Sequence, residues 1–264
     1  MNLQLKGKRA LVSGSTAGIG LAIVEALARE GASVTLNGRT ERRVQDALRA
    51  VRDHVPSADV RGIAADLGTA DGARRVTRDL PDVDVLVNNL GIFETKPFEQ
   101  IPDEDWLRMF ETNVLSGVRL ARHYLPKMLA GGWGRIIFIS SESAVQIPAE
   151  MIHYGMTKTA QVAVARGLAE LTKGTAVTVN SVLAGPTSSE GAEKFVKKLA
   201  DEKGVDRATI EREFFASVRP TSLLKRFEDP AEIGSVVAFL ASPIASAING
   251  SAVRAESGVV QAAL

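Results

Sequence analysis

The stretch RALVSGSTAGIG, residues 9–20, decides the fold. Arg9 to Val12 is a run of strand length, and Gly14-Ser15-Thr16-Ala17-Gly18-Ile19-Gly20 then sets glycines where a strand must turn tightly into a helix. Gly14 permits the turn, Gly18 lets backbone approach a pyrophosphate with no Cβ in the way, and Gly20 allows helix to pack closely on sheet. Beyond Gly18, the residues Ile19, Ala22, Ile23, Ala26 and Leu27 follow the spacing of an amphipathic helix that Gly31 ends. Free N–H groups and the macrodipole at the start of such a helix favour negative charge. Gly14, Ser15, Thr16, Gly18, Ile19 and Gly20 are therefore expected to cradle the phosphates of a dinucleotide.

Further along the chain, strand-length runs recur at Val34 to Leu36, Val60 to Ala64, Val83 to Val87, Arg135 to Ile139, Val177 to Val182 and Ser251 to Ala255. Strands apolar throughout and alternating with helices imply a parallel sheet covered on both faces, because neither face can be left to water. The expectation is an α/β, Rossmann-like, doubly wound three-layer fold: seven parallel strands and about six main helices in one domain over 1–264. Asp229-Pro230-Ala231-Glu232 carries the acid, the first-turn proline and the N3 glutamate of a capping box and should open the last helix. Thr187 to Phe227 departs from the alternation and reads as a helical insertion.

Composition narrows the partners. Thirty-two basic residues stand against 31 acidic ones with no basic stripe, so nucleic acid is not expected. Zero cysteines exclude thiolate nucleophiles and cysteine-bound metal, and His54, His123 and His153 are scattered, so no metal site is expected. The short apolar run after Lys6, Lys8 and Arg9 does not read as a signal peptide, and no stretch reaches the ~18 apolar residues of a membrane span. The reading is a cytoplasmic enzyme whose redox centre is a bound cofactor.

Tyr154 and Lys158 stand at i and i+4, on one helical face. A neighbouring ammonium favours phenolate, so Lys158 is expected to lower the tyrosine pKa. Ser141 follows the strand that ends near Ile139, and strand ends are where α/β folds bind ligands. Hydride delivered to a carbonyl builds charge on its oxygen, which a proton donor and a hydrogen-bond donor must meet.

The G-x-x-x-G-x-G spacing of residues 14–20, the pair Tyr154 and Lys158, and Asn88-Asn89-Leu90-Gly91 resemble the short-chain dehydrogenase/reductase family over nearly the whole chain. Leu90 stands where that family commonly has alanine, and Glu256-Ser257-Gly258 where Asp-Gly-Gly is common. The resemblance implies that Ser141 holds the substrate oxygen, Tyr154 transfers its proton, and Lys158 binds the nicotinamide ribose and tunes Tyr154. It implies that Asn113, in Thr112-Asn113-Val114, supports a water chain to Lys158, and that Ser140 is structural. Asp66-Leu67 resembles the adenine-contacting pair, and Asn180 to Thr187 resembles the stretch that meets the nicotinamide amide, with Ala184 in place of proline. Asn89, Gly91, Gly185 and Thr187 thus join the cofactor contacts. The implied substrate is a small carbonyl or alcohol, and the implied assembly a homo-oligomer, tetramer or dimer. A nucleotide sensor without turnover, or a same-fold dehydratase or epimerase, is the alternative.

Dinucleotide folds that select NAD place an acid at the end of the second strand. Here that position holds Asn37-Gly38-Arg39, and Arg39 can pair with a 2′-phosphate, so NADP(H) is favoured, with NAD(H) as the other possibility. Asp103, Glu104 and Asp105 read as helix-start charges, Lys194, Lys197 and Lys198 as a solvated face opposite Phe195 and Leu199, and His153 as a surface residue rather than a wall of the substrate mouth. The segment from about 188 to 224 carries Phe195, Val196, Leu199, Ile210, Phe214 and Phe215 at helical spacing. It reads equally as a lid, with an apolar substrate wall near Ile92, Phe93 and Met151, or as core and subunit contact.

Overall fold

The computed structural model describes residues 2–263, without the side chains of Lys194, Phe195 and Lys198, so those three expected positions lie outside the described residues. One parallel sheet runs through the chain in the order β3-β2-β1-β4-β5-β6-β7. Its strands are β1 (Arg9–Val12), β2 (Ser33–Gly38), β3 (Val60–Ala64), β4 (Val85–Asn88), β5 (Gly134–Ser141), β6 (Val177–Ala184) and β7 (Ala252–Ala255). The order reverses between β1 and β4, which opens a crevice at their carboxyl ends, the place where such sheets bind ligands.

Strand side chains alternate between faces, and both faces are buried. Ala10, Val12, Val85, Val87, Ile137 and Ile139 enter one core beneath α1 (Gly18–Arg29), α2 (Glu41–His54) and α9 (Pro230–Ala241). Leu11, Leu86, Ile136 and Phe138 enter the other, with residues of α3 (Ala70–Asp79), α5 (Ser116–Ala130) and α6 (Ile152–Glu170). The three layers follow from that alternation. The capping box at Asp229 forms as expected: Ala231 N–H donates to Asp229 Oδ1 at 2.8 Å, and Asp229 N–H to Glu232 Oε2 at 2.8 Å.

Several boundaries differ from the sequence reading. β4 begins at Val85 rather than Val83, where its register with β1 starts at Ala10 opposite Val85. β5 and β6 run on to Ser141 and Ala184, since each pairs with the other through those residues. α4 (Asp103–Phe110) passes through a π-helical turn, Glu111–Leu115, into α5. Such turns place an extra residue in the helix and gather at functional sites, and this one carries Asn113. The insertion holds α7 (Glu190–Lys203) and α8 (Arg207–Glu213), followed by a second π-helical turn, Phe214–Val218. Its two ends are joined by a parallel bridge between Thr187 and Glu228.

Candidate active site

At the β1–α1 turn, Gly14 and Gly18 take φ of +59° and +54°, a region that favours glycine. Gly20 sits against the turn itself: a Cβ there would meet Asn89 Nδ2 at 2.5 Å. Asn89 ties the turn to β4 by donating from Nδ2 to Ser13 O at 3.0 Å and Gly14 O at 2.9 Å. α1 then begins with no side-chain cap and no acid in its first turn. An uncapped first turn leaves N–H groups for an outside anion, so the residues present fit a dinucleotide phosphate. Ser15 does not reach the crevice. It is fully buried, with Oγ donating to Val12 O at 2.7 Å and accepting from Asn37 N–H at 2.9 Å, and so it braces the turn.

Arg39 lies exposed just past β2, with no hydrogen bond or ion pair engaging it among the described residues. Thr16 packs against Gly38, with its Cγ2 2.4 Å from where a Cβ on that glycine would stand. Asp66 is exposed beyond β3 and accepts from Gly68 N–H at 3.0 Å, whereas Leu67 is buried in the core.

A cavity of about 840 Å³ opens at the carboxyl ends of β4, β5 and β6. Ile19, Asn89, Gly91, Ser141, Tyr154, Lys158, Gly185 and Thr187 line it, so residues scattered from position 19 to 187 converge there. Ser141 is the last residue of β5, and the residues Glu142–Ala144 then form a 3-10 turn. α6 presents Tyr154 and Lys158 one turn apart, with Lys158 Nζ 5.5 Å from the phenol ring centroid. Lys158 Nζ donates to Ile139 O at 2.9 Å, while Ser140 Oγ donates to Lys158 O at 2.9 Å. β5 and α6 are thereby clamped with the catalytic candidates between them.

Asn113 is fully buried and touches the site through the backbone around Gly91. Its Oδ1 accepts from Ile92 N–H at 2.8 Å, and its Nδ2 donates to Ile92 O at 2.9 Å and Thr157 Oγ1 at 3.0 Å. Gln161 Nε2 donates to the Asn113 carbonyl at 2.6 Å. A Cβ on Gly91 would lie 3.5 Å from Lys158 Nζ and 3.6 Å from Asn113 Oδ1.

The electrostatics differ from the simple tyrosine–lysine expectation. Burial raises the Tyr154 pKa above its ordinary value, and the Glu142 carboxylate adds to the rise; a hydrogen bond with Ser141 and the Arg219 charge act the other way. Burial also lowers Lys158 to about 8, against a smaller upward pull from Glu142. The charges that act on Tyr154 come from Glu142 and Arg219 rather than from Lys158. Burial thus favours the neutral phenol form of Tyr154.

Two residues the sequence reading passed over complete the site. Glu142 is buried beside Ser141, which hydrogen-bonds its carboxylate, and Arg219 Nε donates to Glu142 Oε1 at 2.9 Å. Arg219 Nη1 also donates to Glu150 Oε1 at 3.2 Å. An acid directly after an apolar strand was a signal for Glu142; Arg219 carried none. His153 is buried, not a surface residue, and it packs edge-on against Trp106 at 5.9 Å without lining the cavity. One helical position before Tyr154 points towards α4, away from the site.

Ile92, Phe93 and Met151 form one wall, and Val196, Leu199, Ile210 and Phe214 from the insertion form another. Phe214, Phe215 and Phe227 also pack on one another, with centroids 5.0 to 5.2 Å apart, so the insertion has a small core of its own. Lys197 is exposed. Among the described residues no group of three His, Asp or Glu could hold a metal ion, and no helix is long and apolar enough to cross a membrane.

A family model for short chain dehydrogenases matches residues 8–200. The chain is 47% identical over 261 residues to the uncharacterized oxidoreductase YvaG of Bacillus subtilis (strain 168), with 99% of each chain covered. It is 31% identical over 261 residues to the D-beta-hydroxybutyrate dehydrogenase of Cupriavidus necator, covering 97% of this chain and 99% of that one. Among solved structures, L-sorbose reductase from Gluconobacter frateurii, complexed with NADPH and L-sorbose, superposes with a TM-score of 0.92 at 31% identity, over 99% of this chain and 100% of the other.

Proposed function

Because the chain belongs to the short-chain dehydrogenase family, we propose that it is an oxidoreductase moving hydride between NADP(H) and a carbonyl/secondary-alcohol pair, with Tyr154 as general acid/base. The observation that carries this reading is the convergence of Ser141, Tyr154 and Lys158 on one cavity wall beside the uncapped start of α1.

In the reducing direction the bound nicotinamide supplies hydride. Tyr154, kept neutral by burial, gives its proton to the carbonyl oxygen, and Ser141 hydrogen-bonds that oxygen as charge grows on it. Lys158 holds the ribose and, with a pKa near 8, can pass a proton on to Tyr154. Asn113 holds the Ile92 backbone and would support the water chain to Lys158. Gly14, Thr16, Gly18, Ile19 and Gly20 would form the phosphate cradle, and Arg39 would take the 2′-phosphate; Asp66, with the backbone of the buried Leu67, would stand at the adenine, while Asn89, Gly91, Gly185 and Thr187 would hold the nicotinamide end. Ser15 serves that cradle through the turn it braces. The NADPH held by the L-sorbose reductase supports this cofactor choice.

The protein is one nucleotide-binding domain, and its segment 188–224 is a lid. Glu190 on α7 pairs with Arg43 on α2 at 2.6 Å, which carries the insertion across the crevice. Its wall of Val196, Leu199 and Phe214 faces a substrate with an apolar part, while Glu142, Glu150 and Arg219 offer polar contacts beside the reacting oxygen. A homo-oligomer, dimer or tetramer, would cover Phe98 and Leu107, which lie 61% and 69% exposed near α4. The cysteine-free composition accompanies a cytoplasmic location.

Nicotinamide absorbance recorded with NADPH and NADH against a panel of ketones, and with the oxidised cofactors against alcohols, tests the reading. Turnover with NADPH and at least one carbonyl is expected. Tight NADPH binding with no turnover across the panel would point to the sensor instead.

A further inference from the structure

Glu142 is 4% exposed and Arg219 7%, and each is the other's buried counter-ion. An ionised carboxylate accepts hydrogen bonds and donates none. The proton between Ser141 Oγ and Glu142 Oε2 therefore belongs to the serine, and Ser141 Oγ in turn accepts from Ser143 N–H, 3.1 Å away. A substrate oxygen that needs the Ser141 proton competes with Glu142 for it. The strength of that competition depends on how fully Arg219 neutralises Glu142. Arg219 comes from the insertion, directly after the turn Phe214–Val218, whereas Glu142 opens the 3-10 turn at the carboxyl end of the interior strand β5.

We propose that Arg219 and Glu142 are positioning residues that couple the insertion to the catalytic hydroxyls. With the insertion closed, Arg219 on Glu142 Oε1 draws charge from the carboxylate and weakens its hold on the Ser141 proton at Oε2, so that a substrate oxygen can compete for it. With it withdrawn, the unneutralised Glu142 holds that proton more strongly. This rests on the assignment of Ser141 and Tyr154 to proton transfer. The charged and titratable groups facing Tyr154 are Glu142 from the 3-10 turn, Arg219 from the insertion with its second partner Glu150, and Lys158 from α6. The two members of the pair act on Tyr154 with opposite sign.

Steady-state kinetics and hydrogen exchange on Glu142→Gln, Arg219→Met and Arg219→Lys test the coupling. Arg219→Met should lower kcat on the order of 10²-fold, as misplacement of a reacting group does, with little change in NADPH affinity. Arg219→Lys should recover much of the loss. The pH-rate limb governed by Tyr154 should move to lower pH in Glu142→Gln and to higher pH in Arg219→Met. Amide exchange over residues 190–218 should rise in Arg219→Met while β5 and β6 keep their protection, which also shows that the variant has folded. Wild-type kcat in Arg219→Met, pH shifts of the same sign in both variants, or unchanged exchange over 190–218 would each overturn the proposal. If the wild-type protein turns over no carbonyl, the oxidoreductase reading fails by itself, and the exchange result still decides whether Arg219 latches the insertion.

Discussion

The floor of the cavity and the insertion above it are built by different means. The floor joins β5, α6 and the π-helical turn through buried bonds: Lys158 to Ile139 O, Ser140 to Lys158 O, and Asn113 to Ile92 and Thr157. The insertion is laced with exposed ion pairs, Lys203 with Glu213, Arg207 with Glu193 and Arg43 with Glu190. Pairs of that kind are worth about 0–1 kcal/mol each. Burial in the insertion falls mainly to Val196, Ile210, Phe215 and Arg219. The contrast teaches that catalytic geometry is set by the most stable part of the molecule, and access to it by a part able to open at lower cost.

The sharpest test of the floor is Tyr154→Phe. Removing one hydroxyl while keeping the ring against Phe93, 6.3 Å away, should cut turnover by roughly 10²–10⁴-fold and leave NADPH affinity nearly unchanged. A kcat close to wild type would show that the floor does not carry the chemistry.

A smaller effect is expected at Arg39, outside both regions. Loss of a charge-assisted bond costs about 1.5–3 kcal/mol, so Arg39→Ala should weaken NADPH binding roughly ten- to a hundredfold and spare NADH. Calorimetric titration with both cofactors would measure it, and equal weakening of the two would remove Arg39 from the 2′-phosphate site.

Hydrogen exchange addresses the contrast itself. Residues 190–218 should exchange faster than β5 and β6 in the free enzyme and slow when NADPH and substrate bind. If the segment is as protected as those strands before any ligand is added, it is ordinary core and not a lid.

The smallest effect concerns the stability the floor gives up for its chemistry. Burial lowers Lys158 from 10.5 to about 8, so between those values the folded state binds fewer protons than the unfolded state. The contribution of this group to stability therefore rises with pH across that window and is least favourable below it. Lys158→Met should raise stability at neutral pH by on the order of 1–2 kcal/mol while abolishing turnover, with part of the gain offset because Ile139 O loses its donor. Chemical denaturation of both proteins at neutral and alkaline pH would show the difference shrinking as pH rises. A difference independent of pH would mean that the Lys158 ammonium is not desolvated.

Much of this was readable in one dimension because it rests on short-range geometry. The glycines of residues 14–20 mark a turn, alternating apolar runs mark strands buried on both faces, and i, i+4 spacing puts Tyr154 and Lys158 together wherever a helix forms. The capping box at Asp229 is likewise local. His153 was misread for the complementary reason. Its burial depends on Trp106 from a distant helix, and nothing in its own neighbourhood reports that.

The sequence by itself thus determined the parallel α/β layering, the glycine turn and the pairing of Tyr154 with Lys158 on one helical face, since each depends on residues a few positions apart. Only the tertiary structure decided what surrounds that group. Glu142 and Arg219 stand 77 positions apart and meet because the insertion folds back over the end of β5. Burial first, and the Glu142 charge second, set the upward direction of the Tyr154 pKa, against the Arg219 charge. Desolvation and Coulomb interaction act through space, and no pattern along the chain encodes the distance between two charges brought together by folding.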